Sequence, residues 1–183
     1  MSDPREVELP DGRTLEIRPA RLADAEQLSA MDKALAEDGR GMVLTVDQVR
    51  AVDDERVRID LMYRKMSTGD ASLIIVALID GQMVGSAEFG QLRPKRCQHV
   101  GVLSLGVHPG CQRAGVGRAL MNYVIDHARR SGTRRLELYT RADNTRARTL
   151  YESLGFAVEG VRRGFVALDD GTLIDDLTMV RWL

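Results

Sequence analysis

The sequence predicts one α+β domain, with a mostly antiparallel central sheet of about seven strands flanked by about four helices. Apolar residues form runs of strand length, as in 73–79, or recur at spacings of three and four, as in 116–127. Turn dipeptides such as Asp80-Gly81 lie between neighbouring strand-like runs and predict hairpins. No repeat or flexible linker divides the 183 residues, so we expect a single domain over 1–183.

The first third of the chain is predicted to contain one strand and two helices. Residues 14–18 alternate polar and apolar side chains after the Asp11-Gly12 turn, which predicts a short strand. Asp24 is a candidate N-cap for a helix that ends near Leu35. A second helix is predicted over 46–65, where apolar residues recur at helical spacing.

The rest of the chain alternates strands with two further helices. Residues 73–79 are continuously apolar, as expected of a strand buried on both faces. Gly155 follows the last helix and predicts its left-handed cap. In chain order, the predicted elements are strands 73–79, 83–89 and 99–107, helix 115–130, strand 135–140, helix 145–154, and strands 157–168 and 173–182.

Composition limits the partners that the protein is expected to have. A net charge of −1 creates no field that would attract nucleic acid or an anionic membrane, so neither is expected as a partner. The longest apolar run, 73–79, is too short to cross a bilayer as a helix. The start of the chain has no apolar core, so no signal peptide is visible and a cytoplasmic protein is expected. Its charged residues are Asp3, Arg5, Glu6 and Glu8.

The two cysteines, Cys97 and Cys111, form no C-x-x-C pair and have no metal-ligand spacing with the three histidines. Two free thiols and no bound metal are therefore expected. The arginines that are dense between Arg129 and Arg148 are expected to form a solvated face, from which Arg148 is a candidate contact for a ligand phosphate.

The segment 107–120 places a glycine-rich turn between a strand and a helix. Gly115 and Gly117 let backbone N–H groups approach a ligand without interference from a Cβ atom. These groups lie at a helix N-terminus, where unpaired donors and the helix dipole favour an anion. Arg113 and Arg118 flank the turn and add charge-assisted hydrogen bonds. The segment therefore predicts a phosphate-binding site.

Two nucleotide-binding motifs come close to this segment without matching it. Gly110 and Gly115 have P-loop spacing, but Val116-Gly117 stands where that motif needs lysine and then serine or threonine. Gly115 and Gly117 also start a dinucleotide fingerprint, but Leu120 occupies the position of its third small residue. Both motifs are therefore disfavoured.

Two segments in order resemble the GCN5-related N-acetyltransferase (GNAT) family. Gln112-Arg-Ala-Gly115-Val-Gly117 matches the signature Q/R-x-x-G-x-G/A, and Asn144-x-x-Ala147-x-x-Leu150-Tyr151-x-x-x-Gly155-Phe156 follows at the expected distance. The resemblance covers about residues 101–156. It implies a GNAT-type sheet with a V-shaped cofactor cleft, and acetyl-CoA as the co-substrate of an N-acetyltransferase.

The resemblance also implies where acetyl-CoA lies. The cleft is expected between the strands ending at Val107 and Thr140, with a bulge at Gly106 where they begin to separate. Backbone groups of one strand would pair with the pantetheine amides, and the amides of 113–118 would hold the pyrophosphate. The residues expected to contact the cofactor are Leu105, Val107, Gln112, Arg113, Ala114, Gly115, Val116, Gly117, Arg118, Asn144 and Tyr151.

Tyr151 is the candidate general acid, because a phenol with a reference pKa of about 10 can protonate a departing thiolate whose reference pKa is about 8.5. For the general base, the sequence offers more than one candidate. The glutamate that many family members carry aligns with Gly101, which cannot act as a base. His99, two residues earlier, and Glu88, on the adjacent strand, are the candidates, and a water relay without a single base is the alternative.

The resemblance implies direct attack of an amine, a small molecule or a protein N-terminus, within a ternary complex. The alternative is a non-catalytic acyl-CoA-sensing or partner-binding module on the same fold. The alternative for Asn144 is a helix cap, and for Tyr151 an ordinary half-buried aromatic residue. The alternative for His99 and Glu88 is an ordinary strand residue. A homodimer is also compatible with the family.

Overall fold

A computed structural model describes residues 4–183, and within them eight strands and four α-helices form a mixed α+β fold. The strands are β1 (Arg5–Glu8), β2 (Thr14–Pro19), β3 (Leu73–Ile79), β4 (Gln82–Gln91), β5 (Val100–Val107), β6 (Arg135–Arg141), β7 (Ala157–Ala167) and β8 (Leu173–Trp182). The helices are α1 (Ala25–Asp38), α2 (Val52–Ser67), α3 (Val116–Arg130) and α4 (Thr145–Ser153).

The strands form one sheet in the order β1-β2-β3-β4-β5-β6-β8-β7, and the β5–β6 pair is parallel while the other pairs are antiparallel. The predicted α+β class is confirmed. The eighth strand is β1, which the sequence did not predict. Val7 is the only apolar residue among its four, so its hydrophobic signal is too weak to recognise without its partner β2.

Helices cover both faces of the sheet, which explains why β3 is apolar throughout. Leu73 and Ile75 belong to the core under α3, whereas Ile74 and Val76 belong to the core under α1 and α2. Every residue of β3 is buried. Side chains alternate between the two faces of a strand, so a central strand covered on both faces needs apolar residues at every position. The prediction of a doubly buried strand is confirmed.

Two details of the predicted helices are wrong. Asp24 does not cap α1 with its side chain; its carboxylate accepts from Arg21 N at 2.6 Å and from the Arg18 guanidinium at 2.7 Å. The second helix does not begin at Val46, because Val46–Gln48 forms a separate 3-10 turn and α2 begins only at Val52. Helical spacing continues across the break and hides it.

The β5 and β6 strands separate after a short parallel contact. Val100, Gly101 and Val102 pair with residues 135–137, and beyond them no β5–β6 pairing occurs in the described chain. β4 follows β5 without interruption to the Gly85–Val107 pair. The gap therefore opens on the β6 side alone, and the predicted wedge between these strands is confirmed.

Gly106 does not form the expected bulge, because its register with β4 is regular. A Cβ atom there would lie 2.6 Å from Leu35 Cδ1, far inside contact distance. Glycine at 106 therefore allows α1 to approach β5.

Gly101 has a similar role, since a Cβ atom there would lie 2.1 Å from the Phe89 ring. A side chain at 101 would thus point into the core beneath α3.

Candidate functional site

One edge of β5 offers unpaired backbone groups to the gap. His108 N donates to Val84 O at 2.9 Å, and Leu92 N donates to Val100 O at 3.0 Å. Hydrogen bonds of an antiparallel pair recur at every second residue, so the even-numbered residues of β5 bond to β4. The N–H and C=O groups of Leu105 therefore point to the opposite edge, where β6 has already turned away. The N–H of Val107 does the same, whereas its carbonyl accepts from the side chain of Gln112.

The turn before α3 presents a second set of unpaired donors. Within residues 4–183, none of the backbone amides from Arg113 to Arg118 donates to a protein acceptor, and α3 has no side-chain cap. Gly115 has φ +91° and Arg113 has φ +66°. Left-handed backbone at both positions turns the chain sharply into the helix. Unpaired amides at a helix N-terminus are suited to binding an anion.

The beginning of α3 lies close to the gap because Gly117 has no side chain. A Cβ atom there would lie 3.2 Å from Leu150 Cδ2, 3.5 Å from Val107 Cγ2 and 3.7 Å from Leu105 Cδ2. The amide donors of the turn and the unpaired edge of β5 are therefore neighbours. Gln112 joins them as well, since its Nε2 donates to Val107 O at 3.2 Å.

A cavity of about 790 Å³ runs through the gap between β5 and β6. This volume is within the range of small-molecule and cofactor sites. The predicted site residues that line it are Glu88, Leu105, Val107, Gln112, Arg113, Gly115, Gly117, Arg118, Asn144 and Tyr151. Three predicted residues do not line it: His99, Ala114 and Val116. Val116 is fully buried, with 1% exposure, and packs into the core instead.

Tyr151 is buried, and its hydroxyl makes no hydrogen bond to any of the described residues, although the side chain lines the cavity. Burial raises the pKa of Tyr151 to about 12, so the phenol is protonated at neutral pH. An unpartnered phenolic hydroxyl inside a cavity is available to donate to a ligand. The proton is harder to release than the reference pKa of a phenol suggests.

Asn144, which lines the cavity, caps α4 with one atom of its side chain and leaves the other without a partner among the described residues. Its Oδ1 accepts from Ala147 N at 3.2 Å. Its Nδ2 lies beside Gly41, where a Cβ atom would be only 2.7 Å away. The capping role and a ligand-binding role of the amide are therefore compatible in this geometry.

The two candidate bases lie in very different places. His99 is exposed and precedes β5, where its carbonyl accepts from Arg134 N at 2.8 Å and Arg135 N at 3.0 Å. At about 3.3 Å per residue it is roughly 20 Å along the strand from Leu105. Glu88 lies on β4 opposite Ser104 and lines the cavity, but Arg58 Nη1 donates to its Oε2 at 2.7 Å.

The sequence reasoning missed a group of charged residues on the α1–α2 side of the cavity: Asp32, Arg50 and Arg58. Arg58 also donates to the fully buried Glu55. A recognisable signal existed for Asp32. It lies next to Met31 and three residues before Leu35, two members of the apolar stripe of α1. A charged residue beside such a stripe is placed at the boundary between core and cavity.

The arginine predicted to contact a phosphate is engaged elsewhere. Arg148 Nε donates to Glu152 Oε1 at 2.8 Å, and the side chain does not line the cavity. Arg113, Arg118 and Arg146 do line it. Arg146 is exposed and has no ion pair among the residues described here, so it is the basic side chain of α4 that is free to meet an anion.

Other features of the described residues limit the chemistry. Cys97 and Cys111 are free thiols, as predicted. In the described part of the chain, no group of three or more His, Cys, Asp or Glu residues could hold a metal ion. No helix there combines the length and hydropathy needed to cross a membrane.

The model of the Acetyltransferase (GNAT) family matches residues 42–156, more than half of the chain. The ribosomal protein bS18-alanine N-acetyltransferase of Escherichia coli (strain K12) is 41% identical over 70 residues, which are 38% of this chain and 47% of that protein. The mycothiol acetyltransferase of Streptomyces avermitilis is 31% identical over 156 residues, 85% of this chain and 46% of that protein. The matches thus span about half the length of these relatives.

Solved structures agree with the fold over nearly the whole chain. The acetyltransferase of the GNAT family from Streptococcus pneumoniae superimposes with a TM-score of 0.84 at 24% identity, covering 92% of this chain and 99% of that one. The ribosomal-protein-alanine N-acetyltransferase from Brucella melitensis gives a TM-score of 0.77 at 26% identity, covering 91% and 99%. The chain therefore shares the overall fold of these structures.

Proposed function

The chain belongs to the GNAT acetyltransferase family, and we propose that it transfers an acetyl group from acetyl-CoA to an amine by direct attack within a ternary complex. One observation carries the proposal. The backbone groups of Leu105 and the N–H of Val107, which have no strand partner, adjoin the unpaired amides of the turn in a single cavity. The turn residues that line this cavity are Arg113, Gly115, Gly117 and Arg118. A peptide-like chain that ends in a diphosphate is the ligand with matching acceptors and donors.

The residues of the cavity fit acetyl-CoA part by part. The amides of the turn and of the first residues of α3 lack protein acceptors and suit the pyrophosphate, with the Arg113 guanidinium beside them. The Arg118 guanidinium also lines the cavity, although its Nη2 donates to Ser153 Oγ at 2.8 Å. The backbone of Leu105 and Val107 suits the two pantetheine amides, which would add to β5 as a strand does. Bound in this way, the co-substrate supplies a thioester carbonyl that is open to attack by an amine.

Tyr151 is the proposed acid. Its hydroxyl is protonated, unpartnered among residues 4–183 and inside the cavity. Raising its pKa to about 12 makes full transfer to a thiolate of pKa about 8.5 cost about 5 kcal/mol at 1.36 kcal/mol per unit. Donation as a hydrogen bond that strengthens while the thiolate forms is therefore favoured over complete transfer in advance.

Of the two bases predicted from the sequence, Glu88 has the better position, since it lines the cavity and His99 does not. Its carboxylate is nevertheless bonded to Arg58. An amine that binds beside Ser104 and Glu88 would lie on the α1–α2 face of β5, opposite the face that α3 covers. That face is the proposed entrance for the acceptor.

The proposal also covers the acceptor, the domain organisation, the assembly and the location of the protein. The acceptor is a small-molecule amine or a protein N-terminus, the class suggested by relatives named for a ribosomal-protein alanine and for mycothiol. Residues 1–183 would form one catalytic domain, and a homodimer and a cytoplasmic location belong to the same proposal. A metal has no part in it.

The test is release of free thiol from acetyl-CoA in the presence of a panel of amines and N-terminal peptides, followed by the mass increase of each product. Reactions without amine and reactions of Tyr151→Phe serve as controls. Amine-dependent thiol release with acetylated product supports the proposal. Binding of acetyl-CoA without turnover across the whole panel would replace it by the second candidate, an acyl-CoA-sensing module. Glu88, the base predicted from the sequence that lines the cavity, is already bonded to Arg58, and this favours that candidate.

A further inference from the structure

Four acidic side chains line the cavity: Asp32, Asp38, Glu88 and Asp176. Three of them have a cationic partner. Asp38 pairs with Arg40, Glu88 with Arg58, and Asp176 with Arg162. Across residues 4–183, Asp32 has neither an ion pair nor a hydrogen bond. It is therefore the one acidic side chain of this cavity that is available to a cationic ligand.

The position of Asp32 places it at the proposed entrance of the acceptor. It lies on α1, three residues before Leu35, and residues three apart share one face of a helix. Leu35 itself packs over Gly106 of β5, as the 2.6 Å approach to a Cβ atom at that position indicates. Asp32 is therefore about one helical turn from the point where α1 crosses β5, on the face opposite α3.

The surroundings of Asp32 leave negative charge in excess. Burial raises its pKa first of all, and the charges of Glu55 and Glu88 raise it further, while Arg58 and Arg50 oppose them. Glu55 is fully buried and pairs with Arg58 and, more distantly, with Arg50, although its Oε1 makes no hydrogen bond to the described residues. The three carboxylates of this group therefore face two guanidinium groups. A cation arriving at Asp32 would offset this excess.

We propose that Asp32 is the residue that binds the protonated amine of the acceptor and accepts the proton that the amine must lose before it attacks. This inference rests on the proposed acetyltransferase function and names a base that sequence reasoning did not include. An ammonium is a donor without a lone pair, so it needs both an anionic acceptor and a proton acceptor at the same place. A half-buried carboxylate without a partner provides both.

The proton balance of the reaction is complete with the groups named. Asp32 takes one proton from the ammonium, the neutral amine forms the C–N bond with the thioester carbonyl, and the C–S bond breaks. The nitrogen then gives up a second proton as the amide forms. Tyr151 supplies a proton to the departing thiolate, and of the two protons lost by the acceptor one restores Tyr151 and one passes to solvent.

The test compares Asp32→Asn with Glu37→Gln, which removes the same charge from an exposed position of α1 outside the cavity. Both proteins are assayed with acetyl-CoA and an alkylamine acceptor that the wild type accepts, and CoA affinity is measured by calorimetry. We expect kcat/KM for the amine to fall roughly 100-fold in Asp32→Asn, the size of a general-base contribution. Glu37→Gln should match the wild type, and all three should bind CoA alike.

A second acceptor amine distinguishes a general-base role of Asp32 from a purely structural role. A weakly basic amine that is neutral at the assay pH needs no deprotonation before it attacks, so the fall in its kcat/KM in Asp32→Asn should be less than about tenfold. The acid limb of the kcat/KM profile should also disappear in that variant. Equal kinetics of Asp32→Asn and wild type, or equal losses for both amines, would overturn the inference. Absence of turnover in the wild type would instead refute the proposed function itself.

Discussion

Arg58 Nη1 donates to Glu88 Oε2 at 2.7 Å, which ties α2 to the strand beside the cavity. The same guanidinium pairs with Glu55 through Nη2 at 2.6 Å. Arg58 is thus shared by a fully buried carboxylate and a partly exposed one. Glu88 has its charge balanced in this way, whereas Asp32 on the facing helix does not, and this difference separates the two carboxylates as candidates for binding a cationic acceptor.

Replacement of Glu88 by glutamine should therefore change the stability and the activity of the protein only slightly. Arg58 keeps its bond to Glu55, and a partly exposed ion pair contributes about 1 kcal/mol or less to stability. We expect the free energy of unfolding, measured with urea, to change by less than about 1 kcal/mol. The kcat/KM for the amine should fall less than about tenfold, below the range of a general base. A loss as large as that of Asp32→Asn would show that Glu88 is the base.

The parts of the fold that depend on local pattern could be predicted from the sequence. The continuous apolar run of β3 and the glycine turn before α3 each have a local physical cause, and both occur as expected. The roles of Gly101 and Gly106 could not be predicted, because each depends on a residue distant in sequence, Phe89 or Leu35.

The residues of the candidate site also fall into those that local sequence predicts and those that it does not. Gln112 and Gly117 belong to a motif in which every residue is near the others in sequence, so they could be named in advance. Asp32 comes from a helix whose sequence carries no motif, and its lack of a partner is visible only when α1, α2 and β4 are assembled. His99 has the residue type of a base but lies at the paired end of β5.

Tyr151→Phe should slow the chemical step without weakening the binding of CoA. The lost hydroxyl has no hydrogen-bond partner among the described residues, so the unfolding midpoint should stay the same or rise slightly. The kcat should fall by about 10²- to 10⁴-fold, while the Kd of CoA from calorimetry stays within about twofold. A large loss of CoA affinity with unchanged kcat would make Tyr151 a binding residue only.

The pH dependence of kcat in the wild type follows from the raised pKa of Tyr151. With a pKa of about 12, Tyr151 keeps its proton over the whole range in which the protein is assayed. We therefore expect no alkaline loss of kcat from Tyr151 below about pH 10. An alkaline limb near pH 8 that disappears in Tyr151→Phe would contradict the raised pKa.

Gly115→Ala should weaken both the fold and the binding of CoA. Gly115 has φ +91°, and a Cβ atom there would lie 3.1 Å from Pro10. Left-handed backbone at a residue other than glycine costs about 1–3 kcal/mol, and relief of that strain would move the amides of the turn.

Gly110→Ala is the matched control for this substitution. Its φ is not positive, and its nearest atom beyond the chain neighbours is His108 Nδ1 at an ordinary 3.5 Å. We expect its unfolding free energy and CoA affinity to stay within about 0.5 kcal/mol of the wild type. Equal effects of the two substitutions, measured by chemical denaturation and calorimetry, would mean that the backbone geometry at 115 has no special role.

Asp32→Asn should stabilise the protein at neutral pH. A carboxyl whose pKa is raised in the folded state keeps its proton longer there than in the unfolded state, so its ionisation lowers stability as pH rises. The penalty is absent below the unfolded pKa of about 3.9 and complete above the folded one. Melting curves should show a larger gain for Asp32→Asn at pH 7.5 than at pH 3.5. A gain that grows towards acid pH would have the wrong sign.

The most direct test of the central claim is a titration of the ¹⁵N-labelled protein with acetyl-CoA, followed through its backbone amide resonances. The account predicts saturable shifts of the amides from Arg113 to Arg118 and of Leu105 and Val107, the groups without protein acceptors in this cavity. Ser104 and Gly106, whose amides are bonded to β4, should shift much less. An unchanged spectrum at millimolar acetyl-CoA, or shifts confined to other surfaces, would contradict the proposed acetyl-CoA site.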